Sequence, residues 1–247
     1  MQKIFFTLMT IALLSVNVSA ADDIKEAAIR ASLSALNSQV PIVAVADASF
    51  PGLYEVTLAS GETLYVNETG SHFIVGEVYQ VQADGQLLNL TEEAKKAGRL
   101  KQLETISSAD MVVYPAQGET KAHVTVFTDT DCFYCRKLHG EVEQLTGYGI
   151  EVRYLAFPRA GAGSKTQQVM DAIWCAETAD QQSLMNSAKA GETIPMLSCA
   201  DSPVMSQYQL GQQMGVTGTP ALVLQDGSLV PGYVPAKQLA TRLGVIN

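Results

Sequence analysis

The chain has 247 residues, of which 47% are hydrophobic, 17% charged and 7% aromatic. This describes an ordinary globular protein of one or two domains and excludes collagenous, low-complexity and disordered classes. Its 16 Lys and Arg against 25 Asp and Glu give a net charge of −9, which argues against nucleic acid or an anionic membrane surface as the principal partner.

Residues 1–20 read as an export leader. Lys3 supplies a positive start, residues 4–14 an apolar run, and Val18-Ser19-Ala20 the small residues a signal peptidase needs to cut before Ala21. That run is short of the about 20 apolar residues that span a bilayer, and no later segment approaches that length, so no stable membrane insertion is expected. Loss of Lys3 with the leader leaves 15 basic and 25 acidic residues, a net charge of −10. The expected product is a soluble exported protein in a compartment where disulfides persist.

Residues 21–90 read as a small domain. Asp22-Asp23 open an amphipathic helix carrying Ile29, Leu33 and Leu36. Short β-type runs follow at 42–45, 53–58, 63–66, 73–75, 78–81 and 87–90, punctuated by Pro51-Gly52, Ser60-Gly61, Thr69-Gly70 and Asp84-Gly85. This is an α+β pattern, one helix on a mostly antiparallel sheet. A lone core of this size is marginal and has no cysteine to brace it, so pairing with a second copy is the expected way to bury more apolar surface.

Residues 91–108 read as a connecting helix. Thr91 serves as its cap, Glu92-Glu93 lie at its start and Lys95, Lys96, Arg99 and Lys101 follow, charges that complement the helix dipole. Ala94, Ala97, Leu100 and Leu103 form a narrow apolar stripe on an otherwise solvated rod, which Gly98 weakens midway.

Residues 109–247 alternate strands and helices, an α/β layout. Strands are expected at 111–114, 124–127, 150–157, 221–224 and 228–230, the last two joined by an Asp226-Gly227 turn. One helix starts near Cys132 with Leu138, Val142 and Leu145 inward, two or three helical segments lie between residues 167 and 214, and a last helix covers 235–243.

The chemistry is expected at Cys132-Phe133-Tyr134-Cys135. Two cysteines three apart, after an apolar strand and at a helix start, close and reopen a small disulfide with little backbone movement. The unpaired N–H groups of the helix start favour a thiolate at Cys132, read as solvent-facing, with Cys135 one turn further in as the resolving thiol. Asp129 and Asp131 oppose that thiolate and Arg136 and Lys137 support it, a balance the spacing leaves open. Cys132, Cys135 and His139 have the spacing of a zinc half-site, but no second close pair follows, so no metal is expected; a permanent disulfide is the other alternative for the pair. His139 reads as a solvated surface histidine.

Cys175 and Cys199 have no close cysteine neighbour. In an oxidising compartment they pair with one another, closing a loop worth roughly 3 kcal/mol; two buried free thiols are the alternative. Thr217-Gly218-Thr219-Pro220 precedes the apolar strand at 221–224, and a cis Thr219-Pro220 bond there would leave the Thr219 backbone groups to pair with an extended substrate.

On these residues the chain resembles the DsbC/DsbG family of bacterial periplasmic disulfide isomerases. The match is carried by Val126-Phe127-Thr128-Asp129, by Cys132-x-Tyr134-Cys135-x-Lys137-Leu138-His139 and by residues 152–159. Ala172-Ile173-Trp174-Cys175, Gly218-Thr219-Pro220-Ala221 and Leu229-Val230-Pro231-Gly232-Tyr233 complete it. The resemblance implies a thioredoxin-like catalytic domain preceded by a small cystatin-like α+β dimerisation domain and a linker helix, assembled as a homodimer with an apolar cleft. It implies Cys132 as attacking thiol, Cys135 as its partner, Pro220 as the cis-proline, and Cys175 with Cys199 as a structural disulfide. Thr219, Pro220, Phe133 and Tyr134 are the expected client-binding residues. The clients are misoxidised exported proteins, the electron donor is the membrane reductase DsbD, and no cofactor is needed beyond the thiol pair. Phe133 stands where the family usually has Gly and Arg136 where His is common; the dipeptide between the cysteines tunes the reduction potential. Thioredoxin itself is a poorer match, with Val126 where thioredoxins carry a buried carboxylate. A DsbG-like reductase of sulfenylated or folded clients and a non-enzymatic dimeric chaperone are the alternative functions.

Overall fold

The computed structural model describes residues 20–36 and 41–247. The expected leader therefore lies, except for Ala20, outside the described residues. Helix α1 (Ala20–Leu36) packs Ile29 and Leu33 on a four-stranded antiparallel sheet of β1 (Ile42–Asp47), β2 (Tyr54–Leu58), β3 (Thr63–Val66) and β4 (Phe73–Val75), in the order β1-β2-β3-β4. Val56, Leu58, Leu64 and Val66 supply the other side of this small core. Strands β5 (Tyr79–Val81) and β6 (Leu87–Asn89) form a separate hairpin rather than extending the sheet, as the run of short β segments had led us to expect. The far edge of β4 and the hairpin leave Phe73, Ile74, Val75, Tyr79, Val81 and Leu87 exposed.

Helix α2 (Leu90–Leu103) is capped by Asn89, whose side chain accepts from the Glu92 N–H at 3.0 Å, and not by Thr91. The Thr91 hydroxyl is occupied elsewhere, bonded to the Tyr65 hydroxyl and accepting from the Val78 N–H. Nor is α2 a solvated rod. Arg99 is buried and donates to the carbonyls of Met214 at 3.1 Å and Gly227 at 3.2 Å, with Glu92 balancing its charge at 2.7 Å. Gly227, at φ 84°, turns so close beneath α2 that a Cβ there would meet the Lys96 carbonyl oxygen at 2.3 Å.

The larger sheet runs β11-β10-β8-β9-β7, built from β7 (Val112–Tyr114), β8 (Ala122–Thr128), β9 (Ile150–Ala156), β10 (Ala221–Leu224) and β11 (Leu229–Pro231). Only β8 and β9 are parallel, Val126 facing Tyr154 and Thr128 facing Ala156. Alternation puts Val124, Val126, Val152 and Tyr154 into one core, and Phe127, Leu155, Ala221 and Val223 into the other. Helices α5 (Lys165–Trp174), α6 (Thr178–Ala190), α7 (Val204–Gln213) and α8 (Ala236–Arg242) complete the α/β half.

The helix expected from Cys132 onward is two helices, α3 (Phe133–His139) and α4 (Val142–Gly147). Gly140 ends the first, and the Glu141 carboxylate turns away to accept from the Ala236 N–H at 2.6 Å, at the start of α8, and from the Tyr233 hydroxyl. The inward stripe survives the break, with Leu138, Val142 and Leu145 all buried.

Candidate active site

Topology brings the two chemical motifs together. β8 ends at Thr128, and a three-residue loop leads to Cys132, which caps α3 with extended backbone. β10 runs antiparallel to β8 with Ala221 opposite Phe127, so its entry, Thr219-Pro220, lies beside the exit of β8. There the Cys132 thiol donates to the Thr219 carbonyl at 3.2 Å. The Thr219-Pro220 bond is cis. The Thr219 hydroxyl oxygen is buried with no hydrogen-bond partner among the described residues.

Asp129 organises the loop between strand and helix. One carboxylate oxygen accepts from the Asp131 N–H at 2.7 Å, the other from the Arg159 N–H at 2.8 Å and its guanidinium at 3.3 Å. Its carbonyl accepts from the Cys132 N–H at 3.3 Å and from the Lys189 ammonium at 2.9 Å. The Phe157 N–H donates to the Thr128 carbonyl at 2.8 Å, which brings Arg159 alongside.

The two thiols differ in the direction expected, although Cys132 does not face solvent as expected. Cys132 is only 3% exposed, because its thiol turns onto the Thr219 carbonyl instead of into solvent. Burial pushes it up, yet the Thr219 hydroxyl, the Cys135 backbone N–H and the Cys135 thiol, donors that face its sulfur, together with the charge of Arg159 bring it below the ordinary thiol value. Cys135 is raised, because burial outweighs Lys189, Thr219, the Asp129 backbone and Thr128. The outer thiol therefore ionises first. The charge balance left open by the sequence is settled at short range: Asp131 pairs with Arg136 at 2.6 Å, and the Lys137 ammonium sits 4.5 Å above the Tyr233 ring. Arg159 acts on Cys132 by its charge, and the buried Lys189 interacts with it as well.

Around the thiols lies an apolar surface. Phe133 is 71% and Tyr134 55% exposed, packed edge to face at 5.3 Å, and Tyr134 stacks on Tyr233 at 6.4 Å. Tyr233 is held by Glu141, which also pushes its hydroxyl up to about 12. His139 is not a solvated histidine. Its ring nitrogens bond the Tyr154 hydroxyl at 3.1 Å and the Asn186 side chain at 2.9 Å, and burial, reinforced by the charge of Lys189, lowers it to about 4. Among the described residues, no three His, Cys, Asp or Glu gather as a metal site.

Cys175, at the carboxyl end of α5, is joined to Cys199 with Cα atoms 5.6 Å apart. Sequence reasoning missed Thr128, Arg159, Lys189 and Tyr233 as members of the thiol neighbourhood. For Lys189 a signal existed: it lies four residues after Met185, hence on the same buried face of α6. For Arg159 there was none, since its neighbour Asp129 is 30 positions away.

Comparison with known proteins fits this geometry. Residues 108–246 match the thioredoxin-like domain family, and residues 19–92 match the disulfide bond isomerase protein N-terminal domain. The thiol:disulfide interchange protein DsbC of Salmonella typhimurium is 39% identical over 239 residues, 97% of this chain and 94% of that protein. The chain belongs to the DsbC family of thiol:disulfide interchange proteins. DsbC of Escherichia coli K12 is 41% identical over 185 residues, covering 75% of this chain and 74% of the relative. DsbC of Haemophilus influenzae is 35% identical over 98% of both chains. The catalytic domain of Proteus mirabilis ScsC superposes with a TM-score of 0.50 at 19% identity, over 62% of this chain and 96% of that one, a likeness of fold alone. As a DsbC-family member the chain is an enzyme of thiol–disulfide exchange with a thioredoxin-like domain and an isomerase-type N-terminal domain. Among the described residues no helix is long and apolar enough to cross a membrane.

Proposed function

We propose that the protein is a periplasmic disulfide isomerase in which Cys132 attacks and Cys135 resolves. The observation that carries this is the opposed ionisation of the pair: Cys132 lies below and Cys135 above the ordinary thiol value, so as pH rises Cys132 becomes nucleophilic before Cys135 does. The Cys132 thiolate attacks a wrong disulfide in a client, and one client sulfur leaves as a thiol. The resulting mixed disulfide is released by another client thiol, which is isomerisation, or by Cys135, which is reduction. Thr219 and Pro220 bind client backbone beside Cys132, and Phe133 and Tyr134 offer it an apolar surface. Cys175 with Cys199 is a static brace. No cofactor takes part.

Residues 21–90 join two copies, residues 91–108 connect, and residues 109–247 carry the chemistry; the leader is 1–20. The bare apolar edge formed by Phe73, Ile74 and Val75 supports pairing of copies, because an exposed apolar edge strand is a template for a second strand. Clients are misoxidised exported proteins, and a membrane reductase of the DsbD kind keeps Cys132 reduced.

The deciding experiment is refolding of a scrambled disulfide substrate by reduced protein. Wild type should recover active substrate and Cys132→Ala should recover none; equal recovery by both would leave a chaperone whose thiols are idle.

A further inference from the structure

Lys189 is the only lysine buried among the described residues, 4% exposed near the end of α6. Its ammonium donates to the Thr128 hydroxyl at 2.6 Å and the Asp129 carbonyl at 2.9 Å, and lies 5.8 Å from the centre of the Tyr154 ring. Among the described residues no carboxylate pairs with it. Burying an unpaired ammonium is costly, and an apolar side chain of similar length would serve the packing better. Both of its acceptors belong to the thiol site. The Thr128 hydroxyl that takes its hydrogen bond and the backbone of Asp129, whose carbonyl it holds, both act to lower the Cys135 thiol against its burial, as does the charge of Lys189 itself.

We propose that Lys189, acting through the Thr128 hydroxyl, is the positioning residue that sets how readily Cys135 ionises, and so whether a bound client is reduced or isomerised. This rests on the roles given above to Cys132 and Cys135. In the mixed disulfide, the Cys135 proton passes through the Thr128 hydroxyl to the amine form of Lys189. The Cys135 thiolate then attacks Cys132, the bond from Cys132 to the client sulfur breaks, and the client sulfur leaves as a thiolate that takes up a proton. The Cys132–Cys135 disulfide formed is oxidised by two electrons, and the client disulfide is reduced by the same two. When a client thiolate attacks instead, Cys132 departs unchanged and Cys135 never needs to ionise. Burial draws Lys189 down to about 8, so its amine form, the one able to accept a proton, is populated at mildly alkaline pH. The charged and titratable groups facing it are Cys135, Asp129, Cys132, Arg136, His139 and Tyr154.

The test uses full-length Lys189→Met and Thr128→Val beside wild type, each carrying glutathione on Cys132 as a mixed disulfide, with glutathione release timed across pH. Loss of the Lys189 charge or of the Thr128 hydroxyl raises the Cys135 pKa. Each unit cuts the thiolate fraction tenfold at low pH but makes the thiolate more nucleophilic, so release slows about threefold below both pKa values and quickens about threefold above them. Expected, then, are variant profiles that cross the wild-type profile, with midpoints displaced to higher pH. Profiles that keep the wild-type midpoint and differ by a constant factor, as loosened packing would give, overturn the proposal. Glutathione release that persists in Cys135→Ala would instead overturn the role of Cys135 itself, on a separate readout.

Discussion

One cysteine of each pair sits at a helix end, and the two ends are opposite, a difference that bears on their chemistry. Cys132 occupies the amino-terminal cap of α3, where backbone N–H groups and Arg159 favour a thiolate. Cys175 occupies the carboxyl-terminal cap of α5, where the dipole disfavours one, and Glu177 and Asp180 line the same surface. A thiol that ionises poorly is a poor leaving group, so the contrast supports the proposed labile bond at Cys132 and static bond at Cys175. Residue type is shared; position in the helix decides.

The largest break in this comparison comes from removing the brace. Replacing Cys175 and Cys199 with Ala together should cost about 3 kcal/mol in urea unfolding, the chain entropy of the loop they close, while Cys132 still reacts with iodoacetamide at the wild-type rate. A comparable loss of Cys132 reactivity would show that the two regions are not independent. A second difference is in pH. The thiol region holds His139 neutral at a lowered value of about 4, while the unfolded chain protonates near 6.5. The stability this gives is complete above 6.5 and is lost as pH falls toward 4. Wild type should lose about 2 kcal/mol between pH 7 and 5 on this account, and His139→Gln should lose that much less over the same interval.

Much of this was legible in the sequence because the signals are local. Strands 63–66 and 73–75 were bounded by turn residues and rich in β-branched or aromatic side chains, 221–224 was an apolar run between Thr219-Pro220 and Asp226-Gly227, and all three form as expected. The cysteine spacing gave the chemistry for the same reason. What escaped depends on partners far along the chain. Arg99 is buried because carbonyls 115 and 128 positions away await it. His139 looked solvated because Asn186 lies 47 positions on. The break at Gly140 was hidden because Glu141 turns to a helix start 95 positions later. A periodicity argument sees the face a residue lies on, but not what waits opposite.

The smallest effect tests what lowers Cys132. Hydrogen bonding at Thr219 and Cys135 precedes Arg159 among the influences that oppose burial, and the Arg159 side chain is 47% exposed, so solvent screens its charge. Arg159→Gln should therefore move the pH profile of Cys132 alkylation upward by less than one unit, slowing the reaction at pH 6 by no more than about threefold. The difference should shrink further when salt is raised to about 1 M, where the screening length is about 3 Å. A slowing beyond tenfold that resists salt would mean that charge, rather than the hydrogen bonds at Thr219 and Cys135, holds the thiolate. The contrast with the Cys175 end would then rest on one arginine brought in from the exit of β9, and not on the backbone geometry of the helix start.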